Sequence, residues 1–302
     1  MSVFSIEVGL ALLGLFLLCL EAFLPTISRR MMATISMVGV AVAFVAFLAV
    51  NKSVESLPAF VQPYHQLDSL ALFYKGFALV ITFLVLWLAL ECAPYLSNYT
   101  LEGKVAELFS LPLLVCVGMM WMASAKDLVT MFVSLELVTV SFYVLVAFAR
   151  RSVLSLEAGV KYLILAALST GILVYGIAWV YGVTGSLSFE GIAKALADPA
   201  LPKQPMLLGA AFLLAGLGFK VAAAPFQIWV PDVYQGAPMP VTAFLSVGSK
   251  AAGFVVLTRV IDAFLAKVVR ELFAVHGDDP RPDRHDAEIR PGCLHCDVCG
   301  DR

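Results

Sequence analysis

Charge is what this chain has least of. Only 14% of its 302 residues are Asp, Glu, Lys or Arg, against 61% apolar, whereas a soluble domain typically carries about 25% charged residues. That shortage excludes a water-soluble enzyme built around one large core and puts the chain in a bilayer. A basic excess is missing as well. The formal net charge is -2, with Lys and Arg scattered singly or in pairs, so no basic field exists to grip nucleic acid. Cysteine is sparse, six residues in all. Cys19, Cys92 and Cys116 stand isolated in or beside apolar runs and read as small buried apolar residues, not as a disulfide framework.

What the chain does have is uninterrupted apolar length. Eight runs, roughly 3–24, 31–50, 68–92, 106–124, 127–149, 157–183, 205–230 and 241–266, are each long enough to cross a hydrocarbon core about 30 Å thick. The fold class expected is all-α, a polytopic transmembrane bundle of about eight helices with every backbone polar group bonded inside a helix. No Lys or Arg leads the first run, Glu7 stands near its start and Arg29-Arg30 follow it, the pattern of an uncleaved anchor. Counting loops alternately puts Arg29, Arg30, Lys104, Arg150 and Arg151 on one side and Lys52, Lys126, Lys194 and Lys203 on the other. The side with both arginine pairs is expected in the cytoplasm and the N-terminus outside.

Ionisable residues inside spans are costly and mark function by default. Glu136 lies about nine residues into its run, roughly 14 Å deep at about 1.5 Å per residue. Lys250 is at a similar depth in the eighth run, and Lys220 precedes Pro225 by one turn in the seventh. Two lysines and one carboxylate cannot neutralise one another, and an odd buried charge suits a proton path. Low dielectric weakens a lysine's hold on its proton, and an approaching carboxylate restores it. The competing reading is a buried salt bridge that only fixes packing. Glu157 and Lys161, spaced i,i+4, read equally as an interfacial pair with Lys161 snorkelling. Pro225 removes a helical hydrogen bond near Lys220, as in the broken helices of ion-handling transporters, or else is an ordinary kink. Asp68, Lys75, Glu91, Glu21, Arg259 and Asp262 read as interface anchors or bundle contacts, and His65 as a solvated loop residue.

The stretch GFKVAAAPFQIWVPDVYQGAPMPVTAFLSVGSKAAGF, with its lysine, proline, W-x-P-D-x-Y-x-G-A-P segment and second lysine, together with VSLELVTVSFYVLVAF and SLEAGVKYLILAALSTGILVYGIAWVYGVTGS, resembles the antiporter-like membrane subunits of respiratory complex I, the proton-translocating NADH:quinone oxidoreductase. L-E-L, where relatives read W-E-G or W-E-L, makes it most similar to the N-type subunit. The resemblance implies a five-helix antiporter-like repeat over 105–266 with a proline-broken helix at Pro225, preceded by flanking helices over 1–104. It implies that Glu136 is the carboxylate modulating Lys220, that Lys250 belongs to the central hydrophilic axis, and that Glu157 and Lys161 are supporting charges. It further implies that this chain binds no cofactor, with NADH, FMN, iron-sulfur clusters and quinone in other subunits. The partners implied are neighbouring membrane subunits and the lipid of the bacterial inner membrane, where electron transfer elsewhere drives proton movement here.

Residues 267–302 depart from this pattern, gathering three of the four histidines and three of the six cysteines. Cys293, Cys296 and Cys299 are weak metal candidates, and an out-of-frame tail replacing later helices accounts better for the composition. Two other functions compete with the complex I reading: a subunit of a multisubunit cation/proton antiporter, and a fragment that assembles without pumping.

Overall fold

The computed structural model describes residues 2–23, 28–50, 57–100, 105–198 and 201–262. Lys52, Lys104, Cys293, Cys296 and Cys299 lie outside the described residues. Among the described residues there is no strand, only the isolated bridges His65–Ala125 and Asp127–Ser188. Eight helical segments are long and apolar enough to cross a membrane.

The helices are α1 (Val3–Phe23), α2 (Arg29–Ala49), α3 (Ser69–Leu96), α4 (Glu107–Ser124), α5 (Leu128–Val146), α6 (Val153–Thr184), the short α7 (Phe189–Ala195), α8 (Lys203–Val221), α9 (Val230–Gly236), α10 (Met239–Phe244) and α11 (Lys250–Val260). Several starts are set by side chains that accept orphan backbone N–H groups. Ser28 caps α2, Asp68 caps α3, and Asp127 caps α5 through both Val129 and Thr130.

Helix α4 is the hub, packed by α1, α3 and α5. Its span is 83% buried, against 28% for α6, as expected of a helix that is apolar all round. Helices α6 and α8 form the other tight pair. A Cβ on Gly176 would stand 2.7 Å from the Leu213 backbone nitrogen, so only glycine lets these two backbones approach so closely.

The last two spans depart from the continuous runs read over 205–230 and 241–266. Helix α8 ends at Val221, four residues before Pro225, where the proline ring would strike the carbonyl of a continuing helix. Ala222 turns left-handed at φ 58° and its N–H bonds back to Gly218 and Phe219. After Pro225, a 3-10 turn over Phe226–Trp229 leads into α9. In the eighth span a π turn, Leu245–Ser249, separates α10 from α11.

The loops sort into two ends. At one, Gln66 N–H bonds to Ser124 O, Lys126 N–H to Tyr64 O, Leu128 N–H to Leu187 O and Phe189 N–H to Lys126 O. At the other, Arg29 donates to Ser97 Oγ at 3.0 Å, Arg150 pairs with Glu107 at 3.0 Å, and Arg151 N–H bonds to Tyr99 O. Both arginine pairs therefore share one end of the bundle.

Candidate functional site

The break in the seventh span presents Lys220. This residue is on the last turn of α8 and only 9% exposed. Its Nζ donates to Thr139 Oγ1 at 3.0 Å and lies 5.9 Å from the Phe219 ring centroid. Thr139 is one turn beyond Glu136 on α5. Glu136 is half-buried and accepts a 2.8 Å hydrogen bond from Thr170 on α6. Among the described residues Glu136 and Lys220 make no ion pair. They are near neighbours held apart by separate hydroxyl partners.

Trp229 closes the break. Its Nε1 donates to the Phe219 carbonyl at 3.2 Å, a second hydrogen bond to the oxygen that already accepts from the Ala222 N–H where α8 stops. Its ring stacks on Phe219 with centroids 5.4 Å apart and tilts against Tyr162 at 5.3 Å. A cavity of about 20 Å³ lies among Thr139, Tyr162, Lys220, Trp229 and Ser249, room for roughly one water molecule beside the lysine amine.

Lys250 opens α11 directly after the π turn, a distortion that often accompanies functional sites. Its Nζ sits 5.2 Å over the ring of Tyr234, whose buried hydroxyl has no hydrogen-bond partner among the described residues. Glu136, Lys220 and Lys250 thus converge on one region through α5, α8, α9 and α11. Pro225 stands in the unwound stretch beneath Lys220.

Glu157 and Lys161 form their i,i+4 pair at 2.7 Å, and Lys161 also bridges to Asp232 on α9 at 2.7 Å. Asp232 went unremarked as an ionic partner in the sequence, because a contact between residues 71 positions apart leaves no local spacing. Its place in the W-x-P-D segment was the only signal.

Two expectations change. His65, read as solvated, is 8% exposed and its Nδ1 lies 2.9 Å from Ser124 Oγ, because the 57–66 loop folds back onto the end of α4. Burial pushes its pKa down to about 4, with Lys75 adding to the effect and Asp127 opposing it. Of the two readings of Lys75, interface anchor or bundle contact, the second holds: it is 1% exposed and pairs with Glu7, also 1% exposed, across α1 and α3. Cys19 is exposed on an outward apolar face of α1, whereas Cys116 is buried and Cys92 lies between. Arg259 is a bundle contact. It forks onto Asp68 at 2.7 and 3.2 Å and bonds to Ala123 O. For Asp68, burial raises the pKa, but the Ala71 N–H and the Arg259 guanidinium outweigh it and hold the carboxyl below its ordinary value. Among the described residues no group of three or more His, Cys, Asp or Glu could hold a metal ion.

Comparison with known proteins identifies the family and the fold. Residues 125–277 match the family described as NADH:quinone oxidoreductase/Mrp antiporter, TM. The chain is 42% identical over 263 residues to NADH-quinone oxidoreductase subunit N of Trichlorobacter lovleyi, covering 86% of this chain and 52% of the relative. The chain spans about half the length of the curated relatives it matches. Among solved structures, a chain of respiratory complex I from Thermus thermophilus superposes with a TM-score of 0.67 at 30% identity, over 89% of this chain and 57% of that one. A chain of the archaeal membrane-bound sulfane sulfur reductase shares the fold, with a TM-score of 0.70 at 22% identity over 89% of this chain and 56% of that one.

Proposed function

This chain belongs to the NADH:quinone oxidoreductase/Mrp antiporter transmembrane family, and from that premise we propose that it acts as a membrane-embedded, proton-translocating subunit of NADH:quinone oxidoreductase of the N type. Electron transfer from NADH to quinone takes place in other subunits, which carry NADH, FMN and iron-sulfur clusters. Protonation changes along Glu136, Lys220 and Lys250 answer it here. Residues 105–266 form the antiporter-like repeat and residues 1–104 the flanking helices. The complex sits in the bacterial inner membrane beside further antiporter-like subunits, with the two arginine pairs facing the cytoplasm and the N-terminus outside.

One observation carries this reading: a buried lysine at a helix break is held by a neutral hydroxyl, with its carboxylate one helical turn away on the same partner helix. A lysine amine so placed changes its hold on a proton according to how near the carboxylate stands. A modest shift of α5 against α8 then loads or unloads it, and the small cavity gives a water a place to receive the proton. Glu157, Lys161 and Asp232 fix α9 to α6, so that motion of the break is transmitted and not absorbed.

In a full-length relative within its complex, Glu136→Gln or Lys220→Ala is expected to lower NADH-driven proton pumping by roughly tenfold or more, the change about 1.4 kcal/mol of lost coupling produces, while assembly persists. Unchanged pumping in both variants would overturn the roles. A second reading, a subunit of a multisubunit cation/proton antiporter, is favoured by the family description, which covers both kinds of protein. Sodium-dependent proton exchange without NADH or quinone selects it.

A further inference from the structure

The Glu136, Lys220 and Lys250 line leaves unused the most deeply enclosed charges of the described chain. Glu7 on α1 and Lys75 on α3 contact each other with side chains 1% and 2% exposed. Burying an ion pair costs several kcal/mol per ion in lost hydration, and apolar residues of similar volume are often as stable or more so. Packing alone therefore gives weak reason for the pair.

What surrounds it gives a better one. Lys75 is seven residues beyond the Asp68 cap, about 10 Å below that end of the bundle. Glu7 lies one turn below Phe4, whose ring packs edge-on against His65 with centroids 6.2 Å apart. His65 is thus joined to the pair through Phe4, one turn from Glu7 on α1, and through the charge of Lys75, which acts on its ring. His65 also lines an open cleft of about 320 Å³ with Phe4, Phe60, Tyr64, Trp121 and Ser134. A neutral imidazole is both donor and acceptor and can pass a proton inward. The charged groups facing it are Lys75 from α3 and Asp127 from the cap of α5, while Asp68 is taken up by Arg259 of α11. From α4 the buried Cys116 thiol faces Thr82 and Glu7.

We propose that Glu7 and Lys75 form a second buried proton-binding site, separate from the Glu136–Lys220–Lys250 line and reached from the loop end through the cleft and His65. Uptake is one proton: His65 accepts it from water in the cleft and hands it to the Glu7 carboxylate, leaving carboxylic acid beside ammonium and His65 neutral again. Release runs the same way in reverse. The pair gains one positive charge and loses it, with no other reactant. The site would act as a side store of charge between α1, α3 and α4, next to the hub helix of the bundle.

The test is infrared difference spectroscopy on the 302-residue chain in liposomes, acidified in H2O and in D2O. A protonated-carboxyl band is expected in the wild type, absent from Glu7→Gln and shifted in frequency in Lys75→Met, where the carbonyl loses its cationic neighbour. In His65→Asn, which keeps an amide toward Ser124 but cannot relay, deuterium exchange of that band should slow by on the order of a hundredfold, the low end of what a positioned acid–base group contributes. Should Glu7→Gln fail to fold, Glu7→Gln with Lys75→Met removes both charges and gives the same readout. Identical carboxyl regions in wild type and the Glu7 variants, or equal exchange in wild type and His65→Asn, would overturn the proposal. Neither result bears on pumping by Glu136 and Lys220, so the two readings fail separately.

Discussion

Lys75 and Lys220 are both buried lysines in apolar helices, yet they are held in opposite ways. Lys75 touches a carboxylate directly, and both side chains are sealed from solvent. Lys220 has only the Thr139 hydroxyl and the face of the Phe219 ring, with its carboxylate neighbour engaged by Thr170. A contact pair fixes its charge locally, so access has to come from outside, through a group such as His65. A separated pair makes charge depend on distance, so a small helix movement suffices. The first arrangement sits against the hub helix α4, the second where the seventh span unwinds and the eighth takes a π turn.

The contrast breaks most visibly when one partner of the contact pair is removed. Lys75→Met leaves the Glu7 carboxylate buried without a cation, which should cost about 3–5 kcal/mol. A strongly lowered Tm in detergent measures it, and Glu7→Gln with Lys75→Met should recover most of the loss. If the single variant were as stable as the wild type, Glu7 would not be buried against it.

A smaller effect comes from pH. His65 is held neutral with its pKa lowered from 6.5 to about 4, so between these values the unfolded chain binds a proton that the folded chain refuses. Stability is therefore full above about pH 6.5 and falls as pH drops toward about 4, by on the order of 3 kcal/mol in total. Thermal melts of wild type and His65→Asn across that window should diverge as the pH falls, the variant being the flatter. Parallel curves would show that His65 is not the group responsible.

The smallest effect belongs to the exposed cluster. Asp232→Asn removes one of two partners of Lys161, all three side chains being roughly half-exposed, so Tm should hardly move. If the cluster couples α9 to α6 as proposed, pumping in the full-length relative falls while Tm does not.

The length of the uninterrupted apolar runs carried the eight spans because spanning length alone is diagnostic, and the alternation of loops predicted that Arg29-Arg30 and Arg150-Arg151 share an end. It could not show how α8 ends. Pro225 announces a break, but the helix stops at Val221, where the proline's steric reach begins, and the π turn before Lys250 has no local signature. The i,i+4 spacing of Glu157 and Lys161 was legible, whereas the contacts of Lys161 with Asp232, Lys75 with Glu7 and Arg259 with Asp68 are set by tertiary packing. His65 was misread for the same reason: a polar residue between two spans looks solvated until the fold lays its loop over α4.

The indole that closes the helix break also makes the break observable. Trp229 is one of four tryptophans, and it alone lies against both Phe219 and Tyr162 with its N–H on a carbonyl of the broken helix. Any turnover step that slides α8 away from α9 must strip that hydrogen bond and unstack those rings. With the other three tryptophans replaced by phenylalanine, the emission of Trp229 becomes an intrinsic optical gauge of the hinge, readable in real time while the membrane is energised.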